Sequence, residues 1–258
     1  MLVVLSPAKS LDLETPIRRR KFTQPRFLDE ARKLVQQLQK LNPEQLSGLM
    51  NMSDKLGALN YERYANWHTP FDRDNARPAL FTFIGDVYQG LDASSFSAAD
   101  INHAQKHLRI LSGLYGILRP LDLIQPYRLE MGTRLTAGES SDLYDFWGSR
   151  LTRCLNQELA PAKKKILVNL ASNEYFNAIQ PKELDATVIT PVFKDFSSGK
   201  YRFLSFYAKQ ARGMMAAFII KNRIRRTERL KEFDIDGYRY SPEESTDTRP
   251  VFLRRKAA

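Results

Sequence analysis

The chain has 258 residues, 43% of them hydrophobic, which is enough for a sizeable buried core and excludes a disordered or purely structural polypeptide. Lys and Arg outnumber Asp and Glu 40 to 29, for a formal charge of +11, so the surface field favours polyanions, anionic substrates or acidic membranes, although lysines scattered over solvated faces give the same total. The single Cys154 excludes an intrachain disulfide framework and a four-cysteine zinc site, and no stretch reaches the ~18 apolar residues of a membrane span.

The opening MLVVLSPAKS has no basic flank before its apolar run, so a cytoplasmic location without a membrane partner is expected. Leu2 to Leu5 reads as a buried strand stopped by Ser6-Pro7, which delivers Ser6 and Lys9 into a loop at the strand's end. The basic cluster at 18–21, between Pro16 and Pro25, reads as an exposed loop, either a phosphate contact or a solvated charge run. From Phe27 to about Trp67, Leu28, Ala31, Leu34, Val35 and Leu38 recur at helical spacing, and Pro43 and Ser53 mark further helix starts. Ser97 and Asp100 form a capping box opening a helix predicted to run to Leu111, where Gly113 ends it. Residues 142–159 read as one amphipathic helix with Leu143, Phe146, Trp147, Leu151 and Leu155 on one side.

The second half changes character. Residues 165–170 read as a buried strand, and TVITPVFKDF and KYRFLSFYA, separated by Ser197-Ser198-Gly199, as a β-hairpin. A helix follows from Phe206, with Lys209 and Arg212 near its N-terminus, and 238–240 and 251–253 read as final strands. No linker or repeat divides the chain, which predicts one mixed α/β (α+β) domain over 1–258 with a mixed sheet and several helices. Strands and helices do not alternate regularly enough for a doubly wound sheet.

In LSGLYG, Gly113 and Gly116 suit a tight turn between helices whose amides meet a DNA phosphate. The turn resembles a helix-hairpin-helix with one extra residue between the glycines; a helix C-cap followed by a turn is the competing reading. A KH-type RNA clamp would need a βααβ unit that is not predicted here. In PYRLEMG polar and apolar residues alternate, putting Arg128 and Glu130 on one strand face as an anion site, an acid/base pair or a structural ion pair. Lys209 and Arg212, three apart, could face an anion together or be surface charge.

Asp100, His103 and His107 have a helical spacing open to metal binding, but the capping role accounts better for Asp100, so no metal site is assigned. Cys154, between Leu151 and Leu155, reads as a small core residue rather than a peroxide-reactive thiol, since no second cysteine could resolve a sulfenic acid. Walker A, Rossmann, HExxH and GxSxG patterns are missing, which leaves standard nucleotide-cofactor and hydrolase chemistry unsupported and the question of catalysis open.

Four segments carry more than their local chemistry: SPAK at 6–9, SGLYGILRPLDLIQPYRLEMG at 112–132, NLASNEYF at 169–176 and SFYAKQARGMM at 205–215. Together, in this order and over nearly the whole chain, they resemble the YaaA family of bacterial peroxide-stress proteins. The resemblance implies a cytoplasmic protein, induced by hydrogen peroxide, that keeps intracellular free iron low and limits Fenton damage. It further implies DNA binding by an unusual α/β fold with a basic cleft and a helix-hairpin-helix element, and it supplies no settled enzymatic activity. On that basis a DNA-contact role falls on Gly113, Gly116, Arg119, Arg128, Lys209 and Arg212, with DNA held as a duplex and little sequence preference. No cofactor is assigned, and the few His and lone Cys make the iron effect indirect. Two rivals stand beside this reading. One is an enzyme acting on a nucleotide or nucleobase, with Ser6, Lys9, Arg128, Glu130, Lys209 and Arg212 lining a pocket; the other is an interaction protein with no site of its own.

Overall fold

An apolar tetrapeptide with no polar face suits a strand covered on both sides, and β1 (Leu2–Leu5) is fully buried. The computed structural model describes residues 1–17 and 21–255; residues 18–20 of the predicted basic loop lie outside them. After the short β2 (Ser10–Leu11) come α1 (Leu28–Leu38), α2 (Pro43–Met50) and α3 (Asp54–Ala65). The small elements β3 (Arg77–Pro78), α4 (Ala79–Thr82), β4 (Phe83–Ile84) and α5 (Asp86–Leu91) precede α6 (Ala98–His107). Then follow β5 (Leu108–Ser112), β6 (Gly116–Leu118), β7 (Leu123–Ile124), α7 (Leu143–Trp147), α8 (Arg150–Leu159), β8 (Ile166–Asn169) and α9 (Asn173–Phe176). The chain closes with β9 (Thr187–Ile189), β10 (Val192–Ser197), β11 (Lys200–Arg202), α10 (Ser205–Lys221), β12 (Tyr238–Tyr240) and β13 (Val251–Arg254).

The main sheet has the order β6-β5-β1-β8-β9. Its strands are parallel except β6, and Val3 at the centre pairs with Leu108 on one side and Val168 on the other. A second sheet, β11-β10-β13-β12, combines parallel β10 and β13 with antiparallel edges. The mixed α/β architecture is thus the one the sequence predicts, and the Ser198-Gly199 hairpin joins β10 to β11 as expected, although the strand read over KYRFLSFYA stops at Arg202 and α10 opens at Ser205.

Four local expectations are corrected. The Ser97 cap is present, with the hydroxyl accepting from Asp100 N at 3.1 Å and the carboxylate from Ser97 N at 2.9 Å, but the helix stops at His107 and not at Leu111. Leu108 to Ser112 is wholly buried beside β1, and strand pairing there outweighs continued helix. The single helix expected over 142–159 is broken between α7 and α8 by Gly148 at φ +47°. TVITPVFKDF is not one strand: it leaves the main sheet after Ile189 and enters the second sheet at Val192, with Pro191, which has no amide to donate, at the crossing.

The fourth correction concerns LSGLYG. It joins β5 to β6 as a β-hairpin, with Ser112 opposite Gly116, so it is a turn between strands and not a hairpin between helices. Leu114 and Tyr115 are completely buried, and Trp147 Nε1 donates to Gly113 O at 2.9 Å. Gly116 sits at φ +68°, and a Cβ there would meet the Trp147 ring at 2.7 Å. A helix pair with a short turn occurs instead at α2 and α3, where Asn51 takes a left-handed conformation.

Candidate anion-binding site

In open α/β sheets the carboxyl ends of parallel strands, where loops diverge, are the usual place for a ligand. Here β1 leads into Ser6 and β8 into Ser172, and the two residues meet at the end of the sheet. Ser172 N donates to Ser6 Oγ at 2.9 Å, and that hydroxyl donates to Ser172 Oγ at 3.3 Å. Tyr88 on α5 donates its phenol to Ser6 O at 3.0 Å. Above them lies a cavity of about 510 Å³ lined by Ser6, Lys9, Asp86, Glu130, Tyr175, Lys209 and Arg212, among others.

Helix α10 supplies the last two cations, and its position follows from two close approaches. A Cβ on Gly213 would lie 1.8 Å from Val87 O, and one on Gly90 would lie 2.0 Å from Gln210 O, so α5 and α10 cross almost backbone to backbone. The crossing brings Lys209 Nζ to 4.0 Å from Asp86 and leaves Arg212 facing the cavity.

The charges then sort themselves. Lys9 Nζ is 2.8 Å from Glu130 Oε2, and Arg128 Nη2 is 3.2 Å from Glu130 Oε1, so one carboxylate answers two cations. Arg128 and Glu130 do lie side by side, but residues 125–130 join no sheet, so the strand read from PYRLEMG is not formed; Tyr64 donates its phenol to Arg128 O. Glu174 accepts Gly132 N at 3.1 Å. Arg212, among the described residues, has neither a carboxylate within 4.0 Å nor a hydrogen bond; its guanidinium carbon lies 6.0 Å from the centre of the Phe203 ring. Burial lowers its pKa, which means that its charge is held at a cost no acid offsets. Burial likewise pushes the Tyr175 phenol well up, so it meets a ligand as a neutral donor. Among the described residues, an adjoining groove of about 720 Å³ is lined by Asp12 and Asp92 and by no Lys or Arg.

Comparison with known proteins adds identity to this geometry. Residues 1–244 match the family described as peroxide stress protein YaaA. The chain belongs to that family. Relatives named UPF0246 protein include one from Aliivibrio fischeri strain ES114, 56% identical over 256 residues, and one from Cellvibrio japonicus, 55% identical over 256 residues, with 99% of each chain covered in both cases. A third, from Paraburkholderia phytofirmans, is 52% identical over 257 residues, again with 99% of each chain covered.

In this peroxide stress family member the predicted site residues divide. Ser6, Lys9, Glu130, Lys209 and Arg212 line one cavity. Arg128 is mostly buried and joins it only through Glu130. Arg119 lies elsewhere, its Nη2 bonding Asp122 Oδ1 at 2.9 Å and Gln24 O at 3.0 Å. Gly113 and Gly116 are buried beneath Trp147 and the 129–130 backbone, with no open surface for a phosphate to approach. Asp86, Tyr88, Ser172 and Tyr175 were missed. The signal for Ser172 was available, since NLASNEYF puts serine just past a buried strand, as SPAK does; nothing local marks Asp86.

The other candidates find structural roles. Asp100 is engaged by Ser97 and by Arg223 at 2.7 Å, and no group of three or more metal-ligating side chains clusters among the described residues. Cys154 is buried, accepts from Arg26 Nη1 at 2.9 Å, and its thiol pKa is raised chiefly by burial, which makes it a poor thiolate source. No helix among the described residues is long and apolar enough to cross a membrane.

Proposed function

We propose that this peroxide stress protein binds DNA in the cytoplasm, with little sequence preference, by seating a backbone phosphate in the cavity between β1, β8 and α10. Arg212 carries the reading: it is a half-buried guanidinium with no carboxylate within 4.0 Å, in a cavity whose acids Asp86 and Glu130 are engaged by lysines. A phosphate supplies the missing counter-charge through charge-assisted hydrogen bonds, and Lys9 and Lys209 border the same volume. The net charge of +11 favours association of the protein with a polyanion. Bound protein would shield DNA during peroxide stress, and any lowering of free iron would act through other components.

The test is fluorescence anisotropy with duplex DNA across a salt series, for the wild type and Arg212→Met. Losing one charged contact should weaken binding roughly tenfold and flatten the log–log salt slope by about one ion's worth. Absence of salt-steep binding, or an Arg212→Met protein with wild-type affinity and slope, sinks the proposal. A second reading, an enzyme for a nucleotide, is favoured by the cavity's volume of about 510 Å³ and by Ser6, Lys9 and Glu130 lining it with the cations. Mononucleotides that displace duplex DNA stoichiometrically and are themselves turned over would support it.

A further inference from the structure

Phe203 and Phe206 are the most exposed large hydrophobic side chains among the described residues, at 55% and 56%. They bracket the start of α10, and the face of Phe203 carries the Arg212 guanidinium that also lines the anion cavity. On the adjoining β11, Lys200, Tyr201 and Arg202 are all exposed. No acidic residue occurs between Asp195 and Glu228, so the aromatic rings alternate with cations that the local sequence does not neutralise. The patch therefore runs from the exposed Phe203 ring, through Arg212, into the cavity.

Single exposed aromatics need no explanation; an exposed Phe203 against an unpaired, half-buried arginine, with exposed Phe206 three residues on, does. A second copy of the chain is a poor occupant, because an isologous contact would set the same lysines and arginines against their own symmetry mates. Single-stranded nucleic acid matches the chemistry better. Every base has a π-face to stack on a phenyl ring, and every link has a phosphate for a cation. In a duplex those base faces are already stacked on each other and cannot reach Phe203 or Phe206. We propose that Phe203 and Phe206 form a stacking ledge for unpaired bases of DNA, whose neighbouring phosphate occupies the Arg212 cavity; this rests on the DNA reading above. The protein then prefers DNA with frayed, gapped or melted segments over intact duplex.

The experiment uses the full-length protein, labelled oligo-dT and a duplex of equal length, with Phe203→Ala/Phe206→Ala and Phe203→Trp/Phe206→Trp variants. Both positions are exposed, so thermal melting should be near wild type in each. The alanine variant should bind oligo-dT about tenfold more weakly per ring lost, while duplex affinity falls by clearly less, the salt slope stays unchanged and the tryptophan variant restores oligo-dT binding. Unchanged oligo-dT affinity in the alanine variant, with a wild type that binds DNA, overturns the ledge and leaves the phosphate reading standing. Equal losses on duplex and oligo-dT overturn the preference for unpaired bases. A wild type that binds neither probe overturns both proposals, and an alanine variant that merely dissociates a dimer assigns the rings to a contact between copies.

Discussion

Gly113→Ala tests whether the LSGLYG turn is packed or presented. A Cβ at this position would stand 2.4 Å from Leu129 O, 3.0 Å from Leu129 C and 3.1 Å from Glu130 C. Ordinary contact starts at 3.4 Å, so the 129–130 backbone must retreat by about 1 Å, and Trp147, hydrogen-bonded to Gly113 O, must follow. Forcing a methyl into a packed site of this kind costs about 1–3 kcal/mol. In a protein of this size each kcal/mol lowers Tm by about 2–4 °C, so a fall of roughly 5 °C is expected by differential scanning calorimetry. Gly48→Ala is the control: it lies inside α2 with nothing within 4 Å of a new Cβ, and gains about 0.5–1 kcal/mol from helix propensity. The reasoning fails if Gly113→Ala melts with the wild type. It also fails if a folded Gly113 variant loses DNA affinity while Arg212→Met keeps it, because the turn would then be a surface after all.

Three further outcomes follow from titratable groups. Hydrogen bonding to Ser97, first of all, holds the Asp100 carboxyl down at about 2; Asp100→Asn should therefore remove stability present above the usual carboxylate pKa near 3.9 and lost as pH falls through about 2, read from urea midpoints against pH. Burial and the neighbouring His107 ring, 4.2 Å away between centroids, depress His103 to about 4. The unfolded chain then binds the extra proton between about pH 6.5 and 4, so stability falls as pH drops through that window; an imidazole titrating near 6.5 by NMR would contradict this. Cys154, raised chiefly by burial, should alkylate with iodoacetamide at least ~10-fold more slowly in the native protein than in urea, and equal rates would contradict its burial.

Legibility in the sequence followed how local each cause was. The Ser97-Asp100 box, the β10–β11 hairpin and the buried β1 depend on neighbours within a few residues and read correctly. The failures share a different cause. Leu108 to Ser112 follows a helix without a breaker, and pairing with β1, more than a hundred residues away, together with the β6 hairpin makes it a strand. The glycines of LSGLYG were read as freedom to bend toward a ligand. One does serve a positive φ, but both also make room for Leu129 or Trp147, residues that no local pattern brings near.

The site shows the same division through charge. Sequence supplies the cations, whereas only the fold pairs them with acids. Arg128 has the geometry of a phosphate ligand, yet it shares Glu130 with Lys9, and Arg119 is engaged by Asp122. Lys209 faces Asp86 at the limit of an ion pair, 4.0 Å. Arg212 lies three residues further along α10, close to one turn on, where the glycine crossing presses α10 onto the α5 backbone and sets Asp86 against Lys209 instead. A guanidinium left unpaired is unfavourable for folding alone, and the cavity around it gives that cost a use. An anion entering there meets a counter-charge already stripped of its protein competitors, so little must be broken before a phosphate can bind.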